Sequence, residues 1–217
     1  MLKRIFILVA IGIFLSACSP DKTDENKIQK SMGVTNPELE FSRACRIKDK
    51  TAYIKITSIS SYNSEDLWGD LQLLAKNNIE NLVIYLNSPG GAAFQGLAIT
   101  DELRIFKEKK IRITAEGRGL IASAAVPVFL IADHRIASKY TIFLIHPAKL
   151  WKWGLFAESL DDLQSQAKMI GLLQSNYAEN VAACSKLTKE QILEMMKKDT
   201  WFTAEEALKY GFVDEIK

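Results

Sequence analysis

The chain has 217 residues, of which 48% are hydrophobic, and carries a formal net charge of +2. Its hydrophobic fraction is ordinary for a globular protein, and 28 basic against 26 acidic residues leave no electrostatic footprint for nucleic acid. The three cysteines show no spacing that suggests zinc.

The chain begins like a sorting signal: Lys3 and Arg4, an apolar run over 5–14, then Leu15, Ser16, Ala17 and Cys18. The run is too short and wrongly flanked for an ordinary spanning helix. Small residues directly before a cysteine resemble a bacterial lipobox, which implies a signal peptide over 1–18 and lipid attachment at Cys18. An ordinary cleaved signal or a short anchor is the alternative. Residues 19–41 are polar and charged with little apolar periodicity, and read as a flexible tether. Residues 42–217 suit one domain with a sizeable core.

Within that domain the pattern alternates strand and helix, predicting an α/β fold with crossover connections. A strand is expected over 53–56, an amphipathic helix over 66–74 and a buried strand over 82–86. The turn Asn87-Ser88-Pro89-Gly90-Gly91 follows at the strand end, where two glycines let the backbone approach a ligand. No Gly-Lys-Ser/Thr accompanies it, so phosphate binding fits poorly. A helix over 93–107 comes next, and Lys107 to Lys110 read as its solvated end. A strand over 111–116 then gives way to a helix-like run over 122–131 that contains Ser123 among small and apolar neighbours. A serine at a helix entry lies beside N–H groups that the helix leaves unpaired, donors suited to a developing oxyanion.

A serine needs a base to attack a carbonyl at neutral pH, and the chain has only two histidines. His134, in Asp133-His134-Arg135, reads as a solvated residue of a polar connection. His146 ends an apolar strand over 141–145 and is the better base. For an orienting acid, Asp199 competes with Asp161, Asp162 and Asp214, and spacing alone does not choose. A long helix is expected over 157–183, its stripe of Leu160, Leu163, Ala167, Ile170, Leu173 and Tyr177 forming core or subunit contact. Thr188 with Gln191 and Thr203 with Glu206 are capping boxes, and Gly211 is a helix stop. Cys45 and Cys184 are open to pairing or to remaining apart.

Residues 86–91, Ala122-Ser123-Ala124, Ile145-His146-Pro147 and the stretch 199–214, with its Tyr210-Gly211-Phe212-Val213-Asp214 turn, resemble the Clp protease proteolytic subunit family. The likeness spans about 51–216. It implies a crotonase-like spiral of ββα units, assembly into homo-oligomeric rings, and a serine endopeptidase that needs no cofactor. By position it implies Ser123 as nucleophile, His146 as base, Asp199 as acid, and Gly91 and Ala124 as oxyanion N–H donors. Two departures stand out. Ala124 replaces the family's usual methionine, and 147–154 is more apolar and aromatic than the family's glycine-rich segment.

Cytoplasmic relatives depend on unfoldase ATPases, which an exported chain would not meet. The expectation is therefore ATP-independent hydrolysis of peptides or unfolded proteins at the cell envelope, the lipid anchor facing periplasm or exterior. Ser19 after the lipidated cysteine favours the outer membrane in a cell with two. Competing readings are a signal-peptide-peptidase type with a Lys149 or Lys152 base, a coenzyme A reaction on the same fold, and a catalytically silent lipid-anchored scaffold.

Overall fold

The computed structural model describes residues 45–150, 152 and 157–217, with the backbone alone for 61–64. The expected signal peptide, Cys18 and the tether lie outside the described residues, as do Trp151 and residues 153–156.

Two short strands open the described fold: β1 (Cys45–Lys48) turns back antiparallel onto β2 (Thr51–Ile56). Helix α1 (Ser61–Lys76) then crosses to β3 (Asn81–Ser88), and α2 (Ala93–Glu108) crosses to β4 (Arg112–Ala122). β2, β3 and β4 run parallel, as helical crossovers require. Both helices have apolar residues at helical spacing. Leu67, Leu71 and Leu74 of α1 and Ile99, Leu103 and Phe106 of α2 are buried.

β4 is longer than the sequence pattern suggests, continuing past Glu116 to Ala122. Its pairing with β3 runs evenly to Leu86 opposite Gly117 and then jumps to Ser88 opposite Ile121. β4 therefore carries two more residues than β3 across the jump. Gly119 supplies the left-handed conformation there, with φ of 81°, and the Asn87 side chain pins the irregularity by accepting the Leu120 amide at 3.1 Å.

The bulge lets one strand serve two neighbours. Thr114 to Gly117 pair with β5 (His134–Ala137), whereas Leu120 to Ala122 pair with β6 (Ile142–Ile145). Between them the short helix α3 (Ala125–Leu130) is buried along its whole length. The helix expected over 122–131 is thus shorter, because β4 keeps its ladder bonds through Ala122. His134, expected in a polar connection, begins a strand.

The long α4 (Leu160–Ala183) and α5 (Lys189–Met196) lead to β7 (Thr200–Thr203), antiparallel to β6. Helix α6 (Ala204–Tyr210) and β8 (Glu215–Ile216), parallel to β5, complete the chain. The capping boxes at Thr188 and Thr203 form as predicted, and Gly211 stops α6 with φ of 76°. A third box joins Ser159 to Asp162. The stripe of α4 divides: Leu160, Leu163 and Ala167 are exposed, Ile170 and Tyr177 are partly buried and Leu173 is buried, with Ala178 and Val181 packing inward further along the helix. Cys45 and Cys184 are both free thiols.

Candidate active site

Two strand registers gather the site. β4 and β6 lie parallel with Ala122 against Leu144, and the next residue, Ser123, donates its amide to the Leu144 carbonyl at 2.9 Å. β6 and β7 lie antiparallel, ending with Ile145 opposite Thr200, and His146 and Asp199 are the residues that flank this last pair. Residues distant in sequence thereby reach one end of the sheet, where the strands' ladder stops and side chains are free to converge.

Ser123 occupies the turn between β4 and α3 with φ of 56°, a left-handed conformation that costs a non-glycine residue roughly 1–3 kcal/mol. The turn is held from several sides. The Ser123 carbonyl accepts from the Val126 amide at 3.0 Å and from the Tyr177 hydroxyl at 3.1 Å. Tyr177, a member of the expected apolar stripe, thus acts through its polar end as well. Its burial pushes the phenol upward from its ordinary pKa, so it stays a neutral donor.

The Gly90-Gly91 turn lies directly against this serine. A Cβ on Gly90 would come within 2.6 Å of the Ala122 carbonyl and 2.7 Å of the Ser123 Cβ, so only glycine fits beside it. The turn is fastened to the segment after β2: Ile59 donates to the Gly90 carbonyl and Ala92 to the Ile59 carbonyl, each at 2.9 Å. Among the described residues the Gly91 and Ala124 amides find no acceptor, which leaves two N–H donors flanking the serine.

Ser123, Ala124 and His146 line one cleft, walled by Leu97 of α2 and by Leu173 and Tyr177 of α4. The His146 Nδ1 donates to the Pro147 carbonyl at 2.8 Å. A carbonyl can only accept, so Nδ1 is the donor, and in the neutral tautomer this assigns the lone pair to Nε2.

Asp199 sits in the turn just before β7 with φ of 46°, does not line the cleft, and among the described residues forms no hydrogen bond with His146. Lys149 Nζ lies 3.7 Å from Asp199 Oδ2 instead. The rival acids Asp162 and Asp214 are occupied elsewhere: Asp162 caps α4, and Asp214 pairs with Arg135 at 2.7 Å. His134 does not line the cleft, and its Nε2 lies 3.3 Å from Glu215. Lys152 pairs with Glu158. Among the described residues no group of three or more His, Cys, Asp or Glu side chains could hold a metal ion.

A family model described as Clp protease matches residues 44–217. The chain is 32% identical over 151 residues to the ATP-dependent Clp protease proteolytic subunit 2 of Tropheryma whipplei, covering 68% of this chain and 79% of that protein. It is 27% identical over 176 residues to proteolytic subunit 1 of Leifsonia xyli, covering 79% and 84%. Among solved structures, a mutant ClpP1 from Listeria monocytogenes superposes with a TM-score of 0.67 at 26% identity, over 76% of this chain and 90% of that one. The fold is accordingly the crotonase-like α/β fold expected from the sequence. By its family match, its relatives and its architecture, the chain belongs to the Clp protease family.

Proposed function

We propose that the protein is a serine endopeptidase in which Ser123 is the nucleophile, His146 its base, Asp199 the orienting acid, and Gly91 and Ala124 the oxyanion donors. The observation that carries this reading is the meeting, in one cleft, of a serine on a left-handed turn and a histidine whose Nδ1 is engaged by a backbone carbonyl. In the reaction His146 Nε2 takes the Ser123 proton as Oγ attacks a peptide carbonyl. The Gly91 and Ala124 amides stabilise the oxyanion, the imidazolium protonates the leaving amine, and water admitted through the same base releases the acyl group. No step calls for a cofactor.

The relatives are named as ATP-dependent. For this chain the lipobox-like sequence ending at Cys18 supports a lipid-anchored enzyme of the cell envelope that cleaves peptides or unfolded chains without ATP. Exposed Leu160 and Leu163, neighbours on one face of α4, support assembly into a homo-oligomer, since adjacent exposed apolar side chains favour a partner surface. Against a lysine base stands the engagement of Lys149 and Lys152 with Asp199 and Glu158.

The test is fluorophosphonate labelling and short-peptide hydrolysis by the purified chain, with particle mass measured on the same sample. Wild type should label and cleave, and Ser123→Ala should do neither. Equal hydrolysis by the two proteins rejects the assignment, and a folded oligomer whose Ser123 never labels supports a silent scaffold.

A further inference from the structure

We infer that Lys149 is a positioning residue that competes with His146 for the Asp199 carboxylate and thereby sets how far the acid takes part in catalysis; the inference rests on the Ser123, His146 and Asp199 reading given above. Three observations carry it. His146 and Asp199 each lie one residue beyond the last β6–β7 pair, Ile145 and Thr200, so the two follow neighbouring strand ends. The His146 Nδ1–H is nevertheless given to the Pro147 carbonyl at 2.8 Å. The cation that meets the carboxylate is Lys149, with Nζ 3.7 Å from Oδ2, on the segment that directly follows the histidine.

The segment bearing Lys149 is itself anchored. The Ala148 amide donates to the Gln174 side-chain oxygen of α4 at 3.1 Å, which fixes the backbone immediately before the lysine. In this arrangement two groups divide the work of one acid. The Pro147 carbonyl fixes the ring tautomer, whereas the charge of Asp199 is answered by an ammonium group rather than by the ring. When the ring becomes imidazolium during attack, a carbonyl dipole stabilises it less than a full carboxylate would. Withdrawing the ammonium group lets Asp199 take over the Nδ1–H.

Both partners are about half exposed, at 56% and 50%, so the competition is modest, and removing it should speed the reaction roughly two- to five-fold. Lys149→Ala should raise kcat for short-peptide hydrolysis and the fluorophosphonate labelling rate by that factor with KM nearly constant. Lys149→Arg, which keeps the charge, should stay at the wild-type rate. In the Asp199→Asn background the Lys149→Ala change should have no effect, because the acid through which it acts is gone. A spectroscopic readout comes from the imidazole itself, as the chain has only two histidines. The Nδ1 proton resonance of His146 should move downfield in Lys149→Ala and stay in place in the double variant.

An unchanged or lower rate for Lys149→Ala overturns the inference, and so does a gain that persists with Asp199→Asn. Those outcomes are separate from failure of the peptidase reading, which would appear as activity surviving Ser123→Ala. A loss of activity with Lys149→Ala together with retention in His146→Ala would overturn it as well and transfer the role of base to the lysine.

Discussion

Ser123 shows how one residue can be costly locally and still be kept. Its left-handed backbone is strained, and the Tyr177 hydroxyl, the Val126 amide and the Leu144 carbonyl over-determine it. The two free thiols among the described residues are a contrast in accessibility. Burial, with Asp70 adding a like-charge penalty, pushes the Cys45 thiol up to about 12, so it is protonated and shielded at neutral pH. Cys184 is only partly buried at the end of α4. Iodoacetamide at about pH 8, near the ordinary thiol pKa, should therefore modify Cys184 well before Cys45 in the folded protein, with both reacting alike after unfolding. Mass spectrometry of tryptic peptides reads the order, and faster modification of Cys45 would contradict the packing of β1.

At the scale of elements, the strand that leads to His146 is held by ladders to β4 and β7 and by aromatic packing. Phe143 of β6 stacks on Phe202 of β7 at 5.3 Å between centroids and meets Phe129 and Phe212 edge-on at 5.8 and 6.4 Å. The cluster joins β6 and β7, whose neighbouring ends are followed by His146 and preceded by Asp199, to the buried α3 that follows Ser123, so packing and site geometry are coupled. Phe143→Ala should cost about 3–5 kcal/mol in urea unfolding. A loss below about 1 kcal/mol, far under the range for a buried aromatic, would show that the ring is not what holds this corner. The bulge in β4 belongs to the same scale, since the switch of partner from β5 to β6 brings Leu144 alongside Ser123.

For the whole molecule, Arg135 ties together segments from the C-terminal part of the chain. Its guanidinium reaches the Cys184 carbonyl at the end of α4, the Gly211 carbonyl at the stop of α6, and both oxygens of Asp214 before β8. Burial alone would raise the Asp214 pKa, but the Arg135 hydrogen bonds and charge outweigh it and hold the carboxyl below its ordinary range. A carboxyl depressed in the folded state stabilises at pH values above its unfolded pKa, and this contribution fades as pH falls through the folded value. Asp214→Asn should therefore be less stable than wild type by about 1–2 kcal/mol at neutral pH, discounted because about a third of the side chain is exposed. The difference should shrink as pH falls below about 4, the ordinary pKa of a free aspartate. Urea midpoints at neutral and acid pH check it, and a difference that grows in acid would reverse the sign of the linkage.

Much of this protein was legible in its amino-acid order, because local chemistry leaves local marks. The capping boxes at Thr188 and Thr203, the Gly211 stop, the double-glycine turn and the buried periodicity of α1 and α2 all depend on neighbours within a few residues. Ser123 and His146 were legible as candidates for the same reason, each lying beyond an apolar strand. The tertiary structure decided what sequence distance hides. It extended β4 through a bulge that no local propensity signals, turned the connection around His134 into a strand by pairing, and divided the α4 stripe into exposed and buried halves. It paired Ile145 with Thr200 in the β6–β7 ladder and so brought the segments bearing His146 and Asp199, far apart in the chain, to neighbouring strand ends. It also set Lys149 on that carboxylate and the Tyr177 hydroxyl on the Ser123 carbonyl. Those contacts arise from side chains carried by separate elements, and packing alone determines which of them meet.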